Sequence, residues 1–225
     1  DEAHFAESEE DRKKALQFYE YMVPIVKGFS TEMSVNVASL GVQVHGGMGF
    51  VEETGAAQHY RDARILPIYE GTTAIQANDL LGRKTYRDGG QVAKSIAELI
   101  KKTEIDLQAS SSKEAKAMLK HLSAARVSFE TVVDYVVANF KSDMKNVFAG
   151  GAAYLQLAGV LMSGWQMARS LLAAEKKLND DPLFFSAKIS TAYFYAEYLM
   201  SQIPGMASAV LSGGSSVNSL SADQF

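Results

Sequence analysis

Apolar residues return every three or four positions along almost the whole of this chain, and no run alternates apolar with polar residues as a half-buried strand would. That period implies an all-α fold. Ser8, followed by acidic residues, predicts a helix start whose stripe runs through Leu16, Tyr19, Met22, Val23 and Val26, and Pro24 is expected to kink or shorten that helix. Ser30 is expected to begin a second helix, with Met33, Val37, Leu40 and Val44 on one side, ending at Gly46 and Gly47. A short element is expected from Thr54 to Arg64, then a loop through Pro67. Thr72 or Thr73 caps a fourth helix through Leu81, with Gly82 near its end.

The character changes at Arg87-Asp88-Gly89-Gly90, which reads as a linker or tight turn. The expected organisation is a first domain over residues 1–88, a second over 89–211 and a loosely ordered tail over 212–225, rich in glycine and serine. In the second domain, Val92, Ile96, Leu99 and Ile100 form one helical stripe, ending in the polar turn from Ala109 to Lys113. Met118, Leu119, Leu122, Phe129, Val132, Val133, Val136 and Phe140 mark a long helix, and the next surrounds Trp165, a candidate core anchor. Asp181 as cap and Pro182 as first residue open the last helix, through Phe184, Ala187, Phe194 and Leu199. Four helices joined by short turns predict an antiparallel four-helix bundle. With 225 residues, 47% of them hydrophobic, the chain can fill one large core or two modest ones.

From Asn146 to Ala168 there is no formally charged residue, a length comparable with a membrane-spanning helix. Asn146, Gln156, Ser163 and Gln166 interrupt it, and Gly150, Gly151, Gly159 and Gly164 suit close helix contact within a bundle, so a buried helix is expected and no transmembrane span. The net charge of -4 comes from 22 basic and 26 acidic residues without a basic run, which argues against nucleic acid as a partner. Cysteine is absent, excluding disulfides and thiolate chemistry, so redox work would need a cofactor. The acidic N-terminus has no secretory pattern, and a cytoplasmic setting is the default expectation, an organelle matrix its alternative. His45 and His59 lack a carboxylate at ligand spacing, so no metal site is expected.

Chemistry-bearing residues concentrate between Gln43 and Lys84. Glu70 stands between Tyr69 and Gly71, just ahead of the expected helix start at Thr72 or Thr73. Taken singly these features have ordinary readings: a Gly-Gly pair after a helix is commonly a C-cap, and a carboxylate beside a helix N-terminus is commonly a favourable charge. Arg61 and Asp62 read as a structural ion pair or helix-terminal contact, and Met48 and Phe50 as packing residues.

Taken together they resemble a family. Gln43, Gly46, Gly47 and Gly49, then Arg61-Asp62-Ala63, then Tyr69-Glu70-Gly71-Thr72 are similar in order and spacing to motifs in the C-terminal helical domain of flavin-dependent acyl-CoA dehydrogenases. The later segments GWQMAR and DPLFFSAKISTAYFYAE, and the closing DQF, resemble the extra C-terminal domain of the larger bacterial-type members. The resemblance implies part of that helical domain followed by a second antiparallel four-helix bundle. It implies Glu70 as the base that removes the α-proton of an acyl-CoA thioester while hydride leaves the β-carbon for FAD. It further implies FAD contacts from Gln43, Gly46, Gly47, Thr72 and Thr73, and substrate contacts from Tyr69, Gly71 and Arg83. Gly46 and Gly47 would permit positive φ and a close backbone approach to the flavin dinucleotide of a neighbouring subunit. A homo-oligomer and an electron-transfer flavoprotein as acceptor follow from the same resemblance.

The family's N-terminal helical domain, middle β-domain and the first bundle helices have no counterpart in this sequence. The expectation is a C-terminal fragment that carries the catalytic carboxylate but is inactive alone, with apolar faces free for self-association. The alternative is a helical oligomerisation or docking module without catalytic activity.

Overall fold

The computed structural model describes residues 2–224, and among them every regular element is helical. The chain divides into two compact units, Asp1–Leu80 and Leu81–Phe225.

In the first unit a short turn of helix, α1 (Glu2–Phe5), precedes α2 (Glu9–His45), which is the spine. The remaining elements are α3 (Gly47–Phe50), a 3₁₀ turn at Glu52–Thr54, α4 (Ala56–Ile65) and α5 (Thr73–Asp79). Ser8 caps α2: its hydroxyl accepts from the Asp11 N–H at 3.0 Å, and Glu9, Glu10 and Asp11 place negative charge at the positive end of the helix.

Two expectations about this helix are corrected. Pro24 lies inside a continuous helix, and Ser30 starts nothing. Proline deletes one ladder hydrogen bond, but Tyr21, Pro24, Ile25, Gly28 and Phe29 are all buried on the face that meets α4 and α5, and that packing holds the turn together. Beyond it the hydroxyls of Thr31 and Ser34 bond back to the carbonyls of Lys27 and Thr31, both at 2.7 Å, as they do inside a helix. The buried face is also rotated from the expected stripe. Leu16, Tyr19, Val23, Val26, Val37, Leu40 and Val44 are exposed, Val44 at 85%. Met48 and Phe50, expected as packing residues, are exposed as well.

A π-helical turn, Leu80–Tyr86, starts at the last residue of the first unit and continues into the second, which holds α6 (Gln91–Gln108), α7 (Lys113–Asn139), α8 (Met144–Ala149) and α9 (Gly151–Lys176). The last leg is broken into α10 (Pro182–Phe194) and α11 (Ile203–Ser212) by a π turn at Tyr195–Leu199 and a 3₁₀ turn at Met200–Gln202. The helix expected to end near Gly82 instead widens into the Leu80–Tyr86 turn. The Asp88 carboxylate takes the N–H groups of Gly90 and Val92, both at 2.9 Å, so Arg87–Gly90 is the tight turn of the two expected readings, and it caps α6.

Helix α9 is the hub, packed against α6, α7, α10 and α11. Its buried residues include Tyr154, Leu157, Leu161, Trp165, Ala168 and Leu171, and they meet Ile96 and Ile100 from α6 and Leu122, Phe129 and Val133 from α7 in one core. No helix among the described residues is long and apolar enough to cross a membrane. Several polar groups inside this core are paired, whereas the buried His121 Nε2 on α7 has no hydrogen-bond partner among the described residues. The Trp165 indole N–H donates to the Thr103 hydroxyl at 2.8 Å, the Thr85 and Tyr154 hydroxyls lie 3.0 Å apart, and Arg126 bridges Glu104 and Glu130.

Four expected core positions differ. Leu99, Phe184, Ala187 and Phe194 are exposed, because α6 buries the phase Ala93, Ile96, Ala97, Ile100 and α10 buries Ala192. The stretch after Ser212, expected to be loose, forms α12 (Gly214–Val217) and a 3₁₀ turn at Ala222–Gln224. Its Asn218 amide donates to the Asn146 side-chain carbonyl at 2.8 Å, which ties it to α8.

Candidate active site

Glu70 lies in the turn that connects α4 to α5, and its backbone is unusual. Its φ is +52°, the only positive value at a non-glycine residue among those described, and Gly71 follows at φ +101°. Left-handed backbone costs an L-residue roughly 1 kcal/mol, so such a conformation persists only where surrounding contacts impose it.

Those contacts come from α2. The half-buried Lys27 ammonium donates to the carbonyl oxygens of Leu66 at 3.1 Å, Tyr69 at 3.0 Å and Gly71, spending all three of its N–H bonds on the turn that contains Glu70. The same ammonium lies 5.9 Å from the Tyr69 ring centroid. One and a half turns further along α2, Glu32 accepts the Thr73 hydroxyl at 2.5 Å. The Thr73 N–H bonds to the Pro67 carbonyl at 3.2 Å, closing the loop on itself. Neither Lys27 nor Glu32 stands out in the sequence, since each acts about 40 residues away.

Around this turn the Glu70 side chain is exposed, and among the described residues neither its carboxylate nor its backbone N–H has a hydrogen-bond or ion-pair partner. The result is a carboxylate on a fixed backbone with both polar ends available. Glycine is required at 71: besides the positive φ, a Cβ there would lie 2.8 Å from the Gln76 side-chain nitrogen.

The other expected site residues sort as follows. Thr72, with φ −63° and ψ 166°, is the N-cap of α5, its hydroxyl accepting from the Ile75 N–H at 3.4 Å. Thr73 is the first residue of α5, and its hydroxyl proton is committed to Glu32. Tyr69 is exposed beside Glu70. At the end of α2, Gln43 is exposed and its carbonyl accepts from the Gly46 N–H at 3.1 Å. Gly46 has φ +61°, whereas Gly47 takes no positive φ and opens α3, so only the first glycine of the pair uses that freedom. No atom lies within 4 Å of where a Cβ on either would stand. Arg83 lies in the Leu80–Tyr86 turn and is exposed.

Arg61 pairs with Glu52 rather than with Asp62. Its two terminal guanidinium nitrogens donate one to each carboxylate oxygen, at 2.8 and 2.6 Å, and the hydrogen bond from Arg61 holds the Glu52 carboxyl below its ordinary range. That bidentate pair ties α4 to the 3₁₀ turn before it. His45 bonds to the Gly41 carbonyl at 2.9 Å, and the described residues contain no cluster of three or more His, Asp or Glu side chains suited to a metal.

Comparison with known proteins accounts for both units. A family model described as "Acyl-CoA dehydrogenase, C-terminal domain" matches residues 3–84, and one described as "Acetyl-CoA dehydrogenase C-terminal like" matches residues 91–221. The chain is 49% identical over 211 residues to the 3-methylmercaptopropionyl-CoA dehydrogenase of Ruegeria pomeroyi, covering 93% of this chain and 36% of the relative. It is 29% identical over 197 residues to the broad-specificity linear acyl-CoA dehydrogenase FadE5 of Mycobacterium tuberculosis, covering 83% and 32% of the two chains. A butyryl-CoA dehydrogenase of Syntrophomonas wolfei is 29% identical over 218 residues, covering 91% and 34%. The chain therefore spans about a third of the length of these relatives. With one family model over the unit that holds Glu70 and another over most of the second unit, the chain belongs to the acyl-CoA dehydrogenase family and carries its C-terminal helical part.

Proposed function

We propose that this chain serves an FAD-dependent acyl-CoA dehydrogenase that desaturates an acyl-CoA thioester between its α and β carbons, with Glu70 as the base. The observation that carries the reading is the exposed Glu70 carboxylate, without a partner among the described residues, on a positive-φ backbone between Tyr69 and Gly71. A carboxylate free of internal partners can approach a substrate C–H. Its own N–H, equally free, can donate to the thioester carbonyl as that oxygen gains charge.

In the step, the Glu70 carboxylate forms an O–H bond to the α-proton, and the electrons of the broken C–H bond move toward the thioester carbonyl. Tyr69 and Gly71 flank the acyl group, and Arg83 is the proposed contact for the coenzyme A portion. Gln43, Gly46, Gly47, Thr72 and Thr73 are the residues that would hold FAD, and the open backbone around Gly46 and Gly47 fits the close passage of an extended polar group. Bound FAD supplies the acceptor for the hydride that leaves the β-carbon. A homo-oligomer and an electron-transfer flavoprotein are the partners that go with this reading, and the isolated chain, a third of its relatives' length, is proposed to be inactive by itself.

The relative at 49% identity is named for a short thioether acyl group and another for butyryl-CoA, so 3-methylmercaptopropionyl-CoA and butyryl-CoA are the substrates to try first. In the full-length enzyme carrying this sequence, Glu70→Gln removes the base but keeps the shape. Flavin reduction by acyl-CoA should fall by a factor of roughly 10² to 10⁴ with flavin content unchanged. Turnover near that of the parent enzyme would sink the assignment.

A further inference from the structure

Lys27 has no part in the chemistry described so far, yet its ammonium is the most heavily used donor around Glu70. Its three carbonyl partners, Leu66, Tyr69 and Gly71, sit on both sides of the base, and it reaches them from a helix that lies 39 to 44 residues earlier in the chain. The orientation of the Tyr69 carbonyl matters most. No peptide bond among the described residues is cis, so the Tyr69 C=O and the Glu70 N–H point in opposite directions across one planar unit. Binding the Tyr69 oxygen therefore turns the Glu70 N–H away from Lys27. Binding the Gly71 oxygen anchors the Gly71–Thr72 peptide plane on the far side of the pair. Between these two anchored planes Glu70 and Gly71 together are left in their positive-φ conformations.

The amine is thus an internal template. An ammonium presents three N–H bonds in a tetrahedral spread, which suits three converging carbonyls; a planar guanidinium or a neutral amide cannot meet all three. With its donors spent, Lys27 has none left for a substrate. Glu32, holding Thr73 on the other side of the turn, completes a brace drawn from the same helix.

We propose that Lys27 is a positioning residue for the catalytic base: it sets the backbone of residues 69 to 71 so that the Glu70 carboxylate and the Glu70 N–H present the productive geometry to the acyl thioester. The proposal rests on the reading of Glu70 as base.

Lys27→Met and Lys27→Gln test it in the full-length, flavin-loaded enzyme, with Glu70→Gln alongside. Single-turnover flavin reduction by saturating butyryl-CoA or 3-methylmercaptopropionyl-CoA gives the chemical step, and its concentration dependence gives substrate affinity. A second readout is exchange of the substrate's α-hydrogens with D₂O on enzyme whose flavin is already reduced, followed by NMR; this needs the base and no hydride transfer. Because misplacing a catalytic group by about 1 Å costs on the order of 10²-fold, Lys27→Met should slow both reduction and α-exchange by roughly 10- to 100-fold. Lys27→Gln, which retains two donors, should lose less. Flavin content and substrate affinity should stay within about threefold of the parent, the split expected when only transition-state geometry is lost.

Parental rates in both Lys27 variants overturn the proposal and leave Glu70 untouched if Glu70→Gln is inactive. An active Glu70→Gln enzyme overturns the base assignment, and the role of Lys27 with it. If both Lys27 variants lose flavin or fail to accumulate, the proposal is likewise overturned, since Lys27 would then hold the fold rather than the base.

Discussion

Replacing Arg126 with methionine should destabilise the second unit more than any loss of surface charge would. The guanidinium donates to both oxygens of Glu104, at 2.7 and 3.2 Å, and to Glu130 at 2.7 Å. The Arg126 and Glu104 side chains are only 13% and 7% exposed, whereas that of Glu130 is 32% exposed. The hydrogen bond to Glu104 is the main reason the guanidinium is held above its ordinary pKa, against the opposing effect of burial. Arg126→Met leaves the Glu104 carboxylate buried with no counter-charge. Stranding one member of such a pair costs 3–5 kcal/mol, and because Glu130 keeps its water here the lower end applies, about 3 kcal/mol. That is a factor of roughly 150 in the unfolding constant. Glu104→Gln alone should cost about 1 kcal/mol, since the amide oxygen still accepts and Arg126 keeps Glu130. The double variant removes both charges and should sit close to Glu104→Gln, leaving a coupling of about 2–3 kcal/mol. Urea unfolding of the chain at pH 7 measures this directly through the fluorescence of its single tryptophan, Trp165, whose indole is bonded to Thr103, the neighbour of Glu104. If the double variant is as unstable as Arg126→Met, or if the two single losses simply add, the stranded carboxylate is not the cause and the reasoning fails.

Gly71→Ala puts a side chain at φ +101° and a Cβ 2.8 Å from the Gln76 nitrogen. Gln76 can move but the backbone strain remains, so kcat should drop about tenfold or more with flavin retained, and an unchanged kcat would show that the turn's shape is immaterial. Phe129, fully buried with its ring centroid 6.1 Å from that of Tyr154, should cost 3–5 kcal/mol as alanine in the same urea assay, and a loss below about 1 kcal/mol would mean that this core collapses around the gap.

Features set within one turn of helix were legible before the fold was known. Ser8 on α2, Thr72 on α5 and Asp181 with Pro182 on α10 cap where their residue types say they should, because a cap is a bond between neighbours three residues apart. The all-α class follows from period alone, and the uncharged stretch around Trp165 is buried in helix as expected, although Gly150 divides it between α8 and α9. Glu70 was conspicuous for the same local reason, set between Tyr69 and Gly71. Punctuation by single residues was less dependable: Pro24 and Ser30 read as a break in α2, yet the packing of Tyr21, Ile25 and Phe29 outweighs one missing ladder bond.

What tertiary structure alone decided is phase and reach. The period of α2 was right, but the buried face is set by where α4 and α5 land, and this left Leu16, Val23 and Val37 outside and drew Tyr21 and Ile25 in. The same holds for the Leu80–Tyr86 and Tyr195–Leu199 π turns, whose widened backbone no local signal announces. It holds most for Lys27, an ordinary lysine in sequence that closes on three carbonyls some 40 residues away. Periodicity and caps are properties of a few adjacent residues, so the sequence by itself determined most of the helices and singled out Glu70 as the proposed carboxylate. The geometry in which that carboxylate is held depends on which distant groups the folded chain brings together, and no residue carries that information alone.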